Sequence, residues 1–130
     1  MVDGKENKTV GGKKISSFED LIVWQESQNL AVMVYELTKS FPANENFGLI
    51  NQIKRASSSV SANIAEGFGR RSPKDKLHFM TISYGSLLET KNFIYLGQKL
   101  NYVTHEQQES LLKQIVSCQK LLNAYMRSMR

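Results

Sequence analysis

The sequence predicts an all-α protein, an antiparallel up-down-up-down four-helix bundle, and three observations predict it. Four segments after residue 16 repeat apolar residues at helical spacing. The connections between them are only a few residues long, which favours antiparallel neighbours. No segment shows a convincing strand pattern that would compete.

The first helix is expected from Phe18 to about Ser40. Ser17 with Asp20, or Ser16 with Glu19, has the spacing of a capping box, and Pro42 closes the segment because it cannot continue a helix. The second is expected to start near Glu45, capped by Asn44, and to stop around Gly67 and Gly69, where glycine tolerates a helix terminus. The third has the clearest start. Ser72 is the cap, Pro73 takes the first position, where no amide donor is needed, and Asp75 stands third. It should run to about Leu100. Asn101 and Tyr102 then turn the chain, and Thr104 with Gln107 repeats the capping spacing for a fourth helix reaching almost to the C-terminus. Residues 1–16 read as a flexible tail and 17–130 as one helical domain.

The length of 130 residues fits a single domain with an adequate core, and an apolar fraction of 41% is ordinary for a globular protein. The lone Cys118 excludes an internal disulfide and suits a reducing compartment. Residues 1–16 contain no apolar leader, and the longest apolar run, Leu30 to Tyr35, falls far short of the roughly 18 residues a membrane span needs. The expectation is a cytoplasmic protein with no membrane association.

The net charge of +5 is unevenly placed. Residues 17–40 carry four acidic groups against one lysine, whereas residues 70–76 carry Arg70, Arg71, Lys74 and Lys76 against Asp75 alone. That cluster follows two glycines and precedes a helix N-terminus, whose dipole favours phosphate. It is the candidate nucleic-acid contact, with Lys54 as an extension; the competing reading is a solvated loop.

The segment Gln52 to Gly67 is rich in serine and alanine, and small side chains let helices approach closely. Leu49, Ile53, Ala56, Val60, Ile64 and Phe68 fall in one arc and form its core face. Arg55, Ser58, Ser59, Ala62 and Glu66 fall opposite, offering a face for a second helix, for a flat ligand, or simply for water. On the third helix Leu77, Met80, Tyr84, Leu87, Ile94 and Tyr95 form one apolar stripe, interrupted by Lys91. Phe79, Ile82, Phe93, Leu96 and Leu100 form another, with Glu89 in its middle. One face suffices for a monomeric bundle, so a second means either unusual burial or a subunit interface, and a homo-oligomer is the expectation. Glu66 and Glu89 each need a partner, and Arg55 is the candidate for one of them.

No constellation of catalytic type is present. His78 and His105 lie near the starts of different helices, with no carboxylate or cysteine at metal-ligand spacing, and the paired Glu-x-x-His motifs of a di-iron bundle are missing. Cys118 reads as a buried, inert thiol. The Gly67–Arg71 and Gly11–Lys14 stretches lack the Gly-Lys-Ser/Thr ending and preceding strand of a phosphate loop. Neither metal nor cofactor is expected. Trp24, Tyr35, Phe47, Tyr84, Tyr95 and Tyr125 read as core residues, with base stacking as the alternative.

Several motifs together resemble a known family. They are Phe18-Glu19-Asp20-Leu21, Val23-Trp24-Gln25, Phe41-Pro42, Phe47-Gly48-Leu49, Gln52-Ile53-Lys54-Arg55-Ala56, Ser61-Ala62-Asn63-Ile64-Ala65-Glu66-Gly67 and Gly85-Ser86-Leu87-Leu88-Glu89. They resemble the bacterial four-helix bundle proteins encoded in intervening sequences of 23S ribosomal RNA genes, over roughly residues 17 to 128. The resemblance implies an antiparallel four-helix bundle with relatives that assemble into rings, pentamers being the expected form. The family is also similar to accessory proteins of diversity-generating retroelements, which implies a basic pentameric bundle associating with nucleic acid and with a reverse transcriptase. The motif positions carried over are Arg55, Asn63, Glu66, Gly67 and Glu89; Ser59 and Ala62 join them as assembly candidates from the helical face. No catalytic residue is implied. The functional expectation is a non-enzymatic oligomer bound to RNA or DNA through the basic loop. The alternative is a ring-shaped scaffold for a protein partner.

Overall fold

A computed structural model describes residues 9–10 and 13–129 of the chain. It is a four-helix bundle with helices α1 (Ile22–Thr38), α2 (Leu49–Phe68), α3 (Pro73–Lys99) and α4 (His105–Arg127). Most of the tail expected at 1–16 lies outside the described residues. Its remainder forms two-residue strands β1 (Thr9–Val10) and β2 (Lys13–Lys14), paired antiparallel. Ile15 is buried, so the chain joins the core before residue 17.

Two helix starts differ from the sequence expectation, for one physical reason. In each, an acidic side chain that reads as part of a helix caps a nearby backbone amide instead. The Asp20 carboxylate accepts from the amides of Ser16 (2.8 Å) and Ser17 (3.2 Å), which closes a separate 3-10 turn over Phe18–Asp20. Leu21 is then extended, its side chain buried, and α1 begins only at Ile22. Likewise Ala43–Glu45 is a 3-10 turn after Pro42, and Glu45 Oε1 accepts from the Leu49 amide at 3.2 Å. Glu45 therefore precedes α2 rather than opening it.

The other two starts match the expectation. The Ser72 hydroxyl accepts from the Asp75 amide at 3.1 Å, with Pro73 first in the helix. Thr104 and Gln107 exchange bonds of 2.9 and 3.1 Å as a capping box. Between them Asn101 takes a left-handed conformation (φ 64°), which asparagine tolerates better than most residues.

Cross-helix contacts run in reverse order along neighbouring helices. Gln28 of α1 donates to Ser61 of α2 at 2.9 Å, while Tyr35 further along α1 meets Lys54 earlier in α2. Ser83 of α3 donates to the Val60 carbonyl and Ser86 to the Ser59 hydroxyl, with Gly67 packed on Phe79 and Met80. The core is a single cluster that includes Leu30, Val34, Ile53, Val60, Ile64, Met80, Leu87, Ile94, Ile115 and Leu122. Closest approach is between α2 and α3, where Ser83 and Ser86 of α3 bond Val60 and Ser59 of α2, and the two helices together carry five buried hydroxyls: Ser57, Ser61, Ser83, Ser86 and Thr90. Each finds a hydrogen-bond partner, as burial of a polar group requires.

Candidate nucleic-acid and assembly surfaces

The basic cluster is built from the end of α2, the connection after it and the first turn of α3. The glycines Gly67 and Gly69 let the chain turn, with the Arg70 amide bonding the Gly67 carbonyl at 3.1 Å. Two of the four cations are held in place by this turn. Lys76 Nζ donates to the Phe68 carbonyl at 2.7 Å and lies over the Phe68 ring, so it caps the C-terminus of α2. Arg70 lies over the Phe79 ring at 4.6 Å and donates to Glu66 at 3.3 Å. Arg71 and Lys74 are exposed and make no ion pair among the described residues. The arrangement leaves two exposed cations beside two anchored ones, at the start of a 27-residue helix.

Lys54 does not extend this surface. It points toward α1 and stacks over Tyr35, 4.8 Å from the ring centroid. Fourteen residues of helix separate it from Phe68, about 21 Å at 1.5 Å per residue.

The assembly candidates separate too. Asn63 bonds the Ser59 carbonyl (2.8 Å) and hydroxyl (2.9 Å), and Ser86 donates to the same hydroxyl at 3.0 Å. Ser59 and Asn63 are thus half-buried in the α2–α3 seam rather than outward-facing. Ala62 is exposed, and Gly67 is buried beneath α3. Glu66 takes Arg70 as its partner, because position 70 lies one turn further on the same face. Arg55 and Glu89 line one open groove of about 340 Å³ with Gln52, Ala56 and Ser59. Both are exposed, and neither makes an ion pair among the described residues.

On α3 the first stripe is core: Met80, Leu87 and Ile94 are fully buried, Leu77 and Tyr84 partly so, whereas Tyr95 turns outward. The second is open along much of its length, with Ile82 41%, Leu96 42% and Leu100 43% exposed; Phe79 and Phe93 are half-buried. Phe47, grouped by the sequence with core or stacking aromatics, is 98% exposed. Its place in a connection, outside any helical repeat, is the signal that sets it apart.

Cys118 is fully buried, and burial pushes its thiol up to about 11, with the nearby Glu26 adding to the rise and a bond to Ser27 opposing it. It cannot offer a thiolate at neutral pH. Tyr125 is raised to about 12, also by burial. His105, expected to lack a carboxylate neighbour at ligand spacing, pairs with Glu109 at 2.9 Å, one turn on and exposed. Among the described residues no group of three or more His, Cys, Asp or Glu could hold a metal, and no helix is long and apolar enough to cross a membrane.

Comparison with known proteins agrees with this architecture. A crystal structure from Bacteroides thetaiotaomicron, described as a protein of unknown function from the S23 ribosomal protein family, is similar with a TM-score of 0.72 and 27% identity. The match covers 81% of this chain and 98% of that one. No curated protein matches. The model of the 23S rRNA-intervening sequence protein family matches residues 19–124, from the Asp20 turn through nearly all of α4. The chain belongs to the 23S rRNA-intervening sequence protein family.

Proposed function

We propose that the protein is a non-enzymatic, cytoplasmic homo-oligomer that associates with RNA or DNA through the α2–α3 connection. The observation that carries this reading is the division of labour within the basic cluster. Lys76 and Arg70 fix the turn, while Arg71 and Lys74 are exposed on it with no ion pair among the described residues, beside a helix N-terminus that attracts anions. Asp75 sets one negative charge against them, leaving a local excess of three positive charges over residues 70–76. Contacts of this kind are to phosphates and carry no sequence information by themselves.

The oligomer is supported by the open second stripe of α3, and a pentameric ring by the family resemblance. Without catalytic chemistry to perform, a ring would serve to present several copies of a weak phosphate site at once, raising avidity over a single copy. A second reading, in which the ring holds a protein partner and the basic turn is incidental, is favoured by the exposure of Phe47. Affinity capture from cell extract with and without nuclease separates the two. Co-purified nucleic acid, lost after nuclease, supports the first; a specific protein retained after nuclease, with no nucleic acid before it, supports the second.

A further inference from the structure

Phe47 is the most anomalous side chain in the molecule. A large aromatic at 98% exposure in a loose loop would need no account, but this loop is fixed. The Asn46 amide bonds the Ala43 carbonyl at 3.1 Å, the Gly48 amide bonds the Glu45 carbonyl at 3.0 Å, and Glu45 is clasped by the Leu49 amide and the Tyr102 hydroxyl. Leu49 and Ile50, two and three residues on, turn inward and are buried. The turn therefore holds Phe47 out in water on a rigid mount, which is how an interface anchor is presented.

The outer stripe of α3 supplies a complementary surface. Phe79, Ile82, Ser86, Glu89, Phe93, Leu96 and Leu100 follow one another at alternating intervals of three and four residues, the spacing of a helix-packing seam. Helix α2 occupies part of it, through Gly67 against Phe79 and Ser59 against Ser86. Towards the C-terminal end Leu96 and Leu100 remain open. Further back along the same seam, at Glu89, a groove carries one cation and one anion, Arg55 and Glu89, neither of which makes an ion pair among the described residues. A surface bearing both charges is matched by another copy of itself, in which each charge meets its opposite.

We infer that Phe47 of one copy of the chain seats on the Leu96–Leu100 end of the outer α3 seam of a second copy, with Arg55 and Glu89 paired across the contact. This inference rests on the self-association proposed above and names the residues that carry it. Burying one phenylalanine removes about 150–250 Å² of surface from water, enough to make it the dominant anchor of a small contact.

The test begins with light scattering on a sizing column, comparing the wild-type protein with Phe47→Ala at micromolar concentration. The variant should keep the wild-type helical spectrum, since the side chain touches little in its own chain, yet its self-association should weaken by about 30-fold or more. A second experiment locates the seat. Chains carrying Phe47→Cys and Cys118→Ser are mixed with chains carrying Leu96→Cys and Cys118→Ser, then oxidised. A disulfide-linked pair of one chain of each kind is the expected product. A Phe47→Ala protein that self-associates as tightly as the wild type, or a mixture giving no such pair, overturns the inference while leaving self-association standing. A monomeric wild-type protein overturns both.

Discussion

Gly67 of α2 lies so close to Phe79 of α3 that a Cβ on Gly67 would stand 2.7 Å from the Cβ of Phe79. The same atom would lie 2.5 Å from the Met80 methyl and 3.4 Å from the Lys76 carbonyl oxygen. The methionine end can swing away; the Phe79 Cβ is fixed to its backbone and cannot. The glycine that ends the Asn-Ile-Ala-Glu-Gly motif is thus required by the closeness of two helices.

Gly67→Ala should therefore destabilise the protein, although alanine is favoured over glycine by about 1 kcal/mol in an ordinary helix. Forcing α2 and α3 apart should cost about 1–3 kcal/mol net, read as a lower midpoint in denaturant unfolding. A midpoint equal to or above that of the wild type would show that the helices have room.

Glu45 joins the two turns at one end of the bundle. Its carboxylate accepts from the Leu49 amide at 3.2 Å and from the Tyr102 hydroxyl at 3.0 Å, and Tyr102 also packs on Phe41 at 5.3 Å between ring centroids. The carboxylate holds the Tyr102 hydroxyl above its usual titration range. Glu45→Ala should lower stability by about 1–2 kcal/mol, and Tyr102→Phe should lower it by less. In the double variant the losses should overlap, so that it loses less than the sum of the two; strictly additive losses would mean the bond contributes nothing.

Cys118 makes a pH-dependent prediction. Its thiol titrates near 9 when unfolded and about 11 in the fold, because burial disfavours the thiolate. Folded stability from this group is therefore complete below pH 9 and is lost as pH rises from 9 through 11, where only the unfolded chain releases the proton. Thermal midpoints should fall over that window, and Cys118→Ser should flatten the fall. At pH 8 the native thiol should be inert to a disulfide reagent and react fully once the chain is unfolded; rapid reaction in the native state would contradict its burial.

Lys54 and the basic connection should behave differently. Since Lys54 lies about 21 Å along α2 from the connection, beyond the roughly 8 Å screening length at physiological salt, Lys54→Ala should leave RNA affinity within about twofold. Its exposed stack on Tyr35 should cost less than about 1 kcal/mol of stability. A tenfold loss of RNA affinity would place Lys54 back in the binding surface.

The helical content was legible because capping residues and apolar periods agree at α3 and α4, where Ser72 and Thr104 cap as their spacing requires. The starts of α1 and α2 were less so. Asp20 and Glu45 look helical in sequence, and only the fold shows them capping amides four residues away, Asp20 behind it and Glu45 ahead. The two stripes of α3 were readable from spacing, whereas the inward turn of Ser59 depends on how near α3 comes, which no local pattern encodes. Lys76 reads as a free cation because a bond to a carbonyl eight residues earlier leaves no mark on the sequence. Phe47 resembles any other apolar residue until the turn that holds it outward is known.

The central claim is that Arg71 and Lys74 contact phosphate. The direct measurement is the RNA affinity of the wild-type protein and of Arg71→Glu/Lys74→Glu across a salt series, with helical content checked by circular dichroism. Neither side chain makes an ion pair among the described residues, so the variant should fold normally. Wild-type affinity should fall steeply with salt. The variant should bind at least tenfold more weakly at low salt, its log–log slope shallower by about 1.4 for two lost contacts to single-stranded RNA. Equal affinity and equal slope for the two proteins would contradict the account.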